Sequence, residues 1–202
     1  STAPEALDLS QETAGTLKSY GITGDRAGHK ESLGSEPFGR QCLIARRLVE
    51  RGVRFVQIYS GGTENQRSWD GHNDIAGNHR GFAGEVDIPI SALITDLAQR
   101  GLLDETLIIC GGEFGRLPVA QKGKNPGRDH NPHAFTTWFA GGGIKGGISY
   151  GETDDFCYNV AEDPVHIRDF HATMLHQLGI DHRRLTFPYQ GLDQRLTGVE
   201  PS

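Results

Sequence analysis

Thr106-Leu-Ile-Ile-Cys110, followed at once by Gly111-Gly-Glu-Phe-Gly-Arg116, is the stretch on which the fold reading turns. A short β-favouring apolar run stopped by glycines is the pattern of a buried strand. Toward the N-terminus, Val86, Ile90, Leu93 and Leu97 recur at helical spacing up to Gly101. A polar loop, 61–79, precedes that helix, and Val53–Ser60 (VRFVQIYS) before the loop is a second strand signal. Phe38, Cys42, Ala45 and Val49 mark a further helix face that ends at Gly52. Toward the C-terminus, a polar loop from Glu113 to Pro132 leads to a strand at Phe135–Ala140 and the glycine-rich turn Gly141–Gly147. A last helix follows, with Asp163-Pro164 as N-cap and first turn, Ile167, Phe170, Met174 and Leu178 as its apolar face, and Gly179 as its stop. This alternation predicts an α/β fold with a mostly parallel, or mixed, central sheet flanked by helices. Residues 1–36, poor in apolar side chains, read as a poorly structured or loosely helical lead-in, which leaves 37–202 for the α/β domain.

The chain of 202 residues is long enough to bury a core, and its charge of −6 argues against a general nucleic-acid binder. No apolar run approaches the roughly 20 residues of a membrane span. With 28 glycines and 9 prolines, much of the chain is expected in loops and tight turns. Cys42, Cys110 and Cys157 are far apart and form no C-x-x-C pair, so neither a disulfide framework nor a cysteine zinc finger is expected. The opening Ser1-Thr-Ala-Pro has no initiator Met and no signal-peptide apolar core. It reads as an internal fragment or a processed chain, with the compartment open.

In open α/β sheets the ligand site lies beyond the carboxyl ends of the strands. The loops there, 60–80 and 111–133, hold three polar clusters. Trp69-Asp-Gly-His-Asn-Asp74 offers Asp70 and His72, a hard carboxylate and an imidazole that can reach one divalent cation. Gly111–Arg116 holds Glu113 in a glycine turn, with Arg116 placed to grip an oxyanion. Gly127-Arg-Asp-His-Asn-Pro-His133 adds Asp129, His130 and His133. Each cluster is weakly specific alone, and the three together point to a metal site.

Blander roles compete. Asp and His in such loops often cap turns, and Glu113 can simply pair with Arg116. His79 and His133 are weaker ligand candidates. His166, His171 and His176 are spaced by five and do not line one helix face, so they read as solvated or core-edge residues, as do His29 and His182. Gly141–Gly147 lacks the spacing of a phosphate loop. Cys110 with Arg116 six residues later has the spacing of a cysteine-dependent phosphatase, but Glu113 puts a carboxylate inside that cradle.

Several runs taken together, G-V-R-F-V (52–56), W-D-G-H (69–72), R-G-L-L-D-E-T-L (100–107), G-G-E-F-G-R (111–116), G-R-D-H-N-P (127–132), A-G-G-G-I-K-G-G (140–147) and H-A-T-M-L-H-Q-L-G-I-D (171–181), resemble a bacterial sulfatase-like family, domain of unknown function 1501, of the alkaline phosphatase superfamily. The resemblance runs from about Phe38 to Thr197. It implies a metal-dependent hydrolase of phosphate or sulfate esters, with divalent ions (Zn, Mn, Fe or Ca) at the edge of a central sheet. On that analogy Asp70, His72, Glu113, Asp129 and His130 hold metal and Arg116 clamps the substrate oxygens. The implied substrate is a small anionic ester or a sulfated or phosphorylated glycan.

Two features depart from the superfamily pattern: Glu-Phe stands at 113–114 in place of Asp-His, and C-x-P-x-R is absent, Cys42-Leu-Ile-Ala-Arg46 having Ile for Pro. The resemblance also implies an N-terminal segment carrying the first strand and the nucleophile, which would partner this chain. It leaves an exported, periplasmic or cell-envelope, setting open for full-length members. The alternative from another class is a non-catalytic module with a degenerate site that binds an anionic or carbohydrate partner.

Overall fold

The structure is a computed structural model and describes residues 3–23, 35–61 and 68–198. In chain order the elements are α1 (Ala3–Leu7), a 3-10 turn (Leu9–Gln11), α2 (Ala14–Ser19), α3 (Ser35–Glu50), α4 (Ile75–Gln99), a second 3-10 turn (Leu103–Glu105), β1 (Ile108–Cys110), β2 (Gly115–Ala120), β3 (Arg128–Asn131), β4 (Trp138–Ala140), β5 (Glu152–Thr153), β6 (Val160–Glu162), α5 (Ile167–Gln177), β7 (Thr186–Tyr189) and β8 (Leu192–Arg195). They divide into two compact units, one of Ser1–Thr106 with Arg116–His130, the other of Leu107–Gly115 with Asn131–Ser202. The division does not fall at residue 36, since the lead-in forms α1 and α2 within the first unit.

The first unit is built on α3 against α4. Phe38, Cys42, Leu43 and Ala45 of α3 and Phe82, Ala92, Leu93 and Leu97 of α4 are buried, along with Ala6 and Tyr20. Cys42 lies in this core, so its superficial sulfatase-like context is a packing position. Gly52, in the left-handed region at φ 81°, follows α3 where the spacing placed a stop. α4 is longer than its spacing suggests. Asp74 caps it, accepting from the Gly77 amide at 3.3 Å, and 75–85 are helical although read as part of a loop and its flank. Gly77, Gly81 and Gly84 weaken helix propensity there, but burial of Phe82 outweighs that local cost.

A charge network sits inside this unit. Arg46, 2% exposed, donates from Nη2 to Glu12 at 2.8 Å and from Nη1 to Glu50 at 2.6 Å, and its Nε lies 3.0 Å from Asp96. Tyr20 donates its hydroxyl to Asp96 at 2.9 Å, and Arg100 bridges Asp96 and Glu50. Arg47 pairs with Glu12 and donates to the carbonyls of Ala6 and Glu5. Ordinary surface pairs contribute little, but here desolvated guanidinium groups require their carboxylates. Burial works to raise the Glu12 and Asp96 carboxyls; Arg47 and Arg46 at Glu12, and Arg100, Tyr20 and Arg46 at Asp96, outweigh it and hold both below the usual range. Burial and the neighbouring Asp96 push the Tyr20 phenol up.

Carboxyls that titrate lower folded than unfolded add stability above their unfolded values, near 4, and lose it as pH falls through the folded ones. Urea midpoints are therefore expected to stay level from neutrality to about pH 5 and to fall steeply below about pH 4. A midpoint unchanged at pH 3 contradicts this role for Glu12 and Asp96.

In the second unit β1 pairs antiparallel with β4 in the register Ile108↔Ala140 to Cys110↔Trp138, and β5–β6 and β7–β8 are antiparallel hairpin-like pairs. Phe139 of β4 and Phe170 of α5 meet with ring centroids 5.4 Å apart. Asn131, 1% exposed, donates to the carbonyls of Cys157 and Tyr158.

The described residues thus mix helices with two-stranded pairs, an α/β content without the expected parallel central sheet. Val53–Ser60 joins no strand ladder among the described residues, and Val53, Phe55 and Tyr59 are exposed. A β-favouring composition is only a preference for a half-buried pleat and does not supply a neighbour. The strand read at 135–140 is confined to 138–140, while the region read as loop, 113–132, contains the pair β2–β3. Arg128-Asp-His-Asn131 has no apolar alternation, so its strand character is invisible to hydrophobic pattern. α5 is capped by His166 and not by Asp163-Pro164. The His166 ring accepts from the Arg168 amide at 3.1 Å, and Asp169 accepts from the His166 amide at 3.2 Å in a reciprocal box. Asp163 instead turns the chain at φ 46°. Among the described residues no helix is long and apolar enough to cross a membrane.

Candidate metal centre

Two loops of the first unit are stitched together by backbone. The Arg128 amide donates to the Gly71 carbonyl at 2.9 Å, the Asp74 amide to the Asn125 carbonyl at 3.1 Å, and Asn73 and Pro126 form an isolated bridge. Gly127 is required where the loops cross. A Cβ there would lie 2.0 Å from the His72 carbonyl carbon and 2.4 Å from the Gly71 oxygen. The residue before Asp70 is also constrained: Trp69 has a left-handed φ of 63°, a conformation that costs a bulky residue about 1–3 kcal/mol. Its surroundings over-determine it. The Trp69 indole donates to Ser60 at 2.9 Å and packs beside Phe82 and His79, while its carbonyl accepts from Arg116 at 3.1 Å and lies 3.2 Å from His79 Nε2.

Onto this frame the sequence places Asp70, His72 and His130, whose donor atoms converge. Asp70 Oδ1 lies 3.2 Å from His72 Nε2 and 3.3 Å from His130 Nε2, and the two imidazole nitrogens are 3.2 Å apart. All three are half-buried to exposed, so the site opens to solvent. Burial works to raise the Asp70 carboxyl, but hydrogen bonds from Arg116 and His130 and the His72 charge hold it below its ordinary value, ionised and ready as a ligand.

Compared with known proteins, the chain matches over residues 1–202 the family described as "Protein of unknown function (DUF1501)". The chain belongs to that family. No curated protein and no solved structure matches it.

Within this DUF1501 chain, the other residues singled out from sequence take different places. Arg116, mostly buried, donates from Nη2 to Asp70 Oδ1 at 2.9 Å and to the Trp69 carbonyl, and from Nη1 to the Arg128 carbonyl at 3.0 Å. It therefore ties strand β2 to both stitched loops and steadies Asp70. Asp129 is not among the three converging donors. Its Oδ1 accepts from the His130 amide at 2.8 Å and lies 4.0 Å from His72 Nδ1, on the far edge of that ring. Glu113 is exposed and belongs to the second unit. His79 supports Trp69, His166 caps α5, and His182 bonds Thr197 at 2.9 Å, while His29 lies outside the described residues. Cys110 ends β1, and burial pushes its thiol up, the opposite of an activated thiolate.

Gln121 escaped sequence reading. It follows β2, its amide donates to the Gly127 carbonyl at 2.9 Å, and its Oε1 meets His72 Nδ1 at 3.1 Å. Nothing in the run Gln121-Lys-Gly-Lys124 signals that role.

Proposed function

We propose that the chain holds a divalent cation on Asp70, His72 and His130 and serves metal-dependent hydrolysis of sulfate or phosphate esters. The observation that carries this reading is the triangle of one carboxylate oxygen and two imidazole nitrogens with edges of 3.2, 3.3 and 3.2 Å. Donors at about 2.0–2.1 Å from a tetrahedral metal stand roughly 3.3–3.4 Å apart, so the triangle fits one face and leaves a corner open. Two nitrogen donors favour Zn, Mn or Fe over Ca, which takes six to eight oxygens. When bound, such a cation supplies Lewis-acid stabilisation and lowers the pKa of a bound water or hydroxyl.

The chain's own groups do the rest. Arg116 keeps Asp70 ionised and aimed, and its positive charge beside the cluster favours an anionic ester over a neutral one. The sulfatase and alkaline-phosphatase link, its parallel sheet, and a sulfated or phosphorylated glycan as substrate rest on the motif resemblance alone. A second reading, a non-catalytic anion-binding module, is favoured by Glu-Phe standing at 113–114 where the resembling superfamily has Asp-His. Thiolate catalysis by Cys110 is disfavoured by the raised thiol.

Elemental analysis of the dialysed chain, paired with His130→Ala, tests the proposal. Near one equivalent of Zn, Mn or Fe in the parent and less than a tenth in the variant is expected, with chelator-sensitive turnover of aryl phosphates or sulfates. Metal without turnover selects the binding module. Absence of metal from the parent chain overturns the hydrolase reading and leaves the binding module.

A further inference from the structure

We propose that Arg128 is the residue that grips the anionic group of the substrate, a role the sequence suggests for Arg116; this rests on the metal reading above. An arginine clamp turns two parallel N–H groups toward two oxygens of a sulfate or phosphoryl group. Arg116 has no such fork to offer. Its Nη2 is divided between Asp70 Oδ1 at 2.9 Å and the Trp69 carbonyl at 3.1 Å, its Nη1 bonds the Arg128 carbonyl at 3.0 Å, and its side chain is only 15% exposed. Turning it to a substrate would abandon the Asp70 carboxylate that it steadies.

Arg128 stands beside the same cluster with its guanidinium uncommitted. It is exposed, and among the described residues its side chain makes no ion pair or hydrogen bond. Only its backbone is engaged. The amide donates to the Gly71 carbonyl at 2.9 Å and the carbonyl accepts from Arg116, which fixes the root of the side chain against the loop that carries Asp70 and His72. Alternate residues of a strand project from one face, so Arg128 leaves β3 on the side from which His130 reaches Asp70. At about 3.4 Å per residue the two Cα atoms stand roughly 7 Å apart, within the span of an arginine side chain. The local field agrees. Residues 116–130 carry Arg116, Lys122, Lys124 and Arg128 against the single carboxylate of Asp129, in a chain whose net charge is −6. Asp129 leaves β3 from the opposite face, and Lys122 and Lys124 are exposed on the turn between β2 and β3. An oxyanion drawn to the cluster from solvent therefore finds an unpaired guanidinium on the His130 face.

The test uses the full chain with inorganic phosphate as probe, with and without Zn2+. In 1H–15N spectra of the parent, the Arg128 Nε–H resonance is expected to move on phosphate titration and to saturate. Calorimetry on the zinc-loaded chains is expected to find phosphate affinity about 10–100-fold weaker in Arg128→Gln, the loss of a charge-assisted contact, and intermediate in Arg128→Lys, which keeps the charge without the fork. Zinc affinity should stay within a few-fold of the parent in Arg128→Gln and fall about tenfold or more in Arg116→Gln, which releases Asp70. Lys18→Gln removes one positive charge from α2 and should bind phosphate like the parent. Parent-like phosphate affinity in Arg128→Gln overturns the inference. If the parent binds no zinc, the metal reading fails, and the zinc-free titration still decides the clamp: a saturating shift at Arg128 supports it, and an unmoved resonance overturns it.

Discussion

Gly127→Ala is expected to unload the Asp70–His72–His130 cluster without removing any ligand. The new methyl carbon would sit 2.0 Å from the His72 carbonyl carbon, 2.1 Å from its oxygen and 2.4 Å from the Gly71 oxygen. All three are backbone atoms, so no side chain can rotate away, and the two loops must separate. Separation breaks the bond from the Arg128 amide to Gly71 and shifts His130 away from Asp70 and His72. Overpacking of this kind costs about 1–3 kcal/mol, and more where the neighbour is rigid. The expected result is metal affinity lowered at least about tenfold, since disturbing only the groups that hold the ligands in place reaches about 10–100-fold. Gly146→Ala, whose Cβ meets nothing within 4 Å, serves as the control and should bind like the parent. Parent-like metal binding by Gly127→Ala would show that the triangle does not depend on the loop crossing.

The second large effect concerns stability. Arg46→Met is expected to destabilise the first unit by about 3–5 kcal/mol, the usual consequence of removing one partner of a buried ion pair. The methionine fills comparable volume, so the loss is electrostatic. Glu12, Glu50 and Asp96 would be left to Arg47 and Arg100 alone, and Glu12 and Asp96 are 9% and 16% exposed. The comparison is Arg40→Ala, which removes the helical pair with Glu36, whose partners are 49% and 29% exposed. That change should cost no more than about 0.5 kcal/mol. Urea midpoints of the two variants measure the difference, and equal midpoints would mean the buried network contributes no more than a surface pair.

Both predictions concern features unequally visible in the sequence. α3 and the core half of α4 were legible because Phe38, Cys42, Leu93 and Leu97 repeat at helical spacing and are in fact buried. The N-terminal half of α4 was not, because its three glycines imitate a loop. The candidate cluster was legible as residue types: Asp70, His72 and His130 are the donors a cation site needs, in loops that fold onto each other. Asp129 looks equally suited by type, yet its side chain does not join the triangle.

By itself, then, the amino-acid sequence determined the helical cores, the turn glycines, the family and the short roster of chemically competent side chains, because these follow from local periodicity and functional-group chemistry. Only the tertiary structure decided that β1 pairs with β4, that Val53–Ser60 has no strand partner among the described residues, that Arg116 steadies Asp70, and that Gln121 stands behind His72. Strand pairing and side-chain convergence join residues dozens of positions apart, and the energy that selects them lies in those long-range contacts, which no local pattern records.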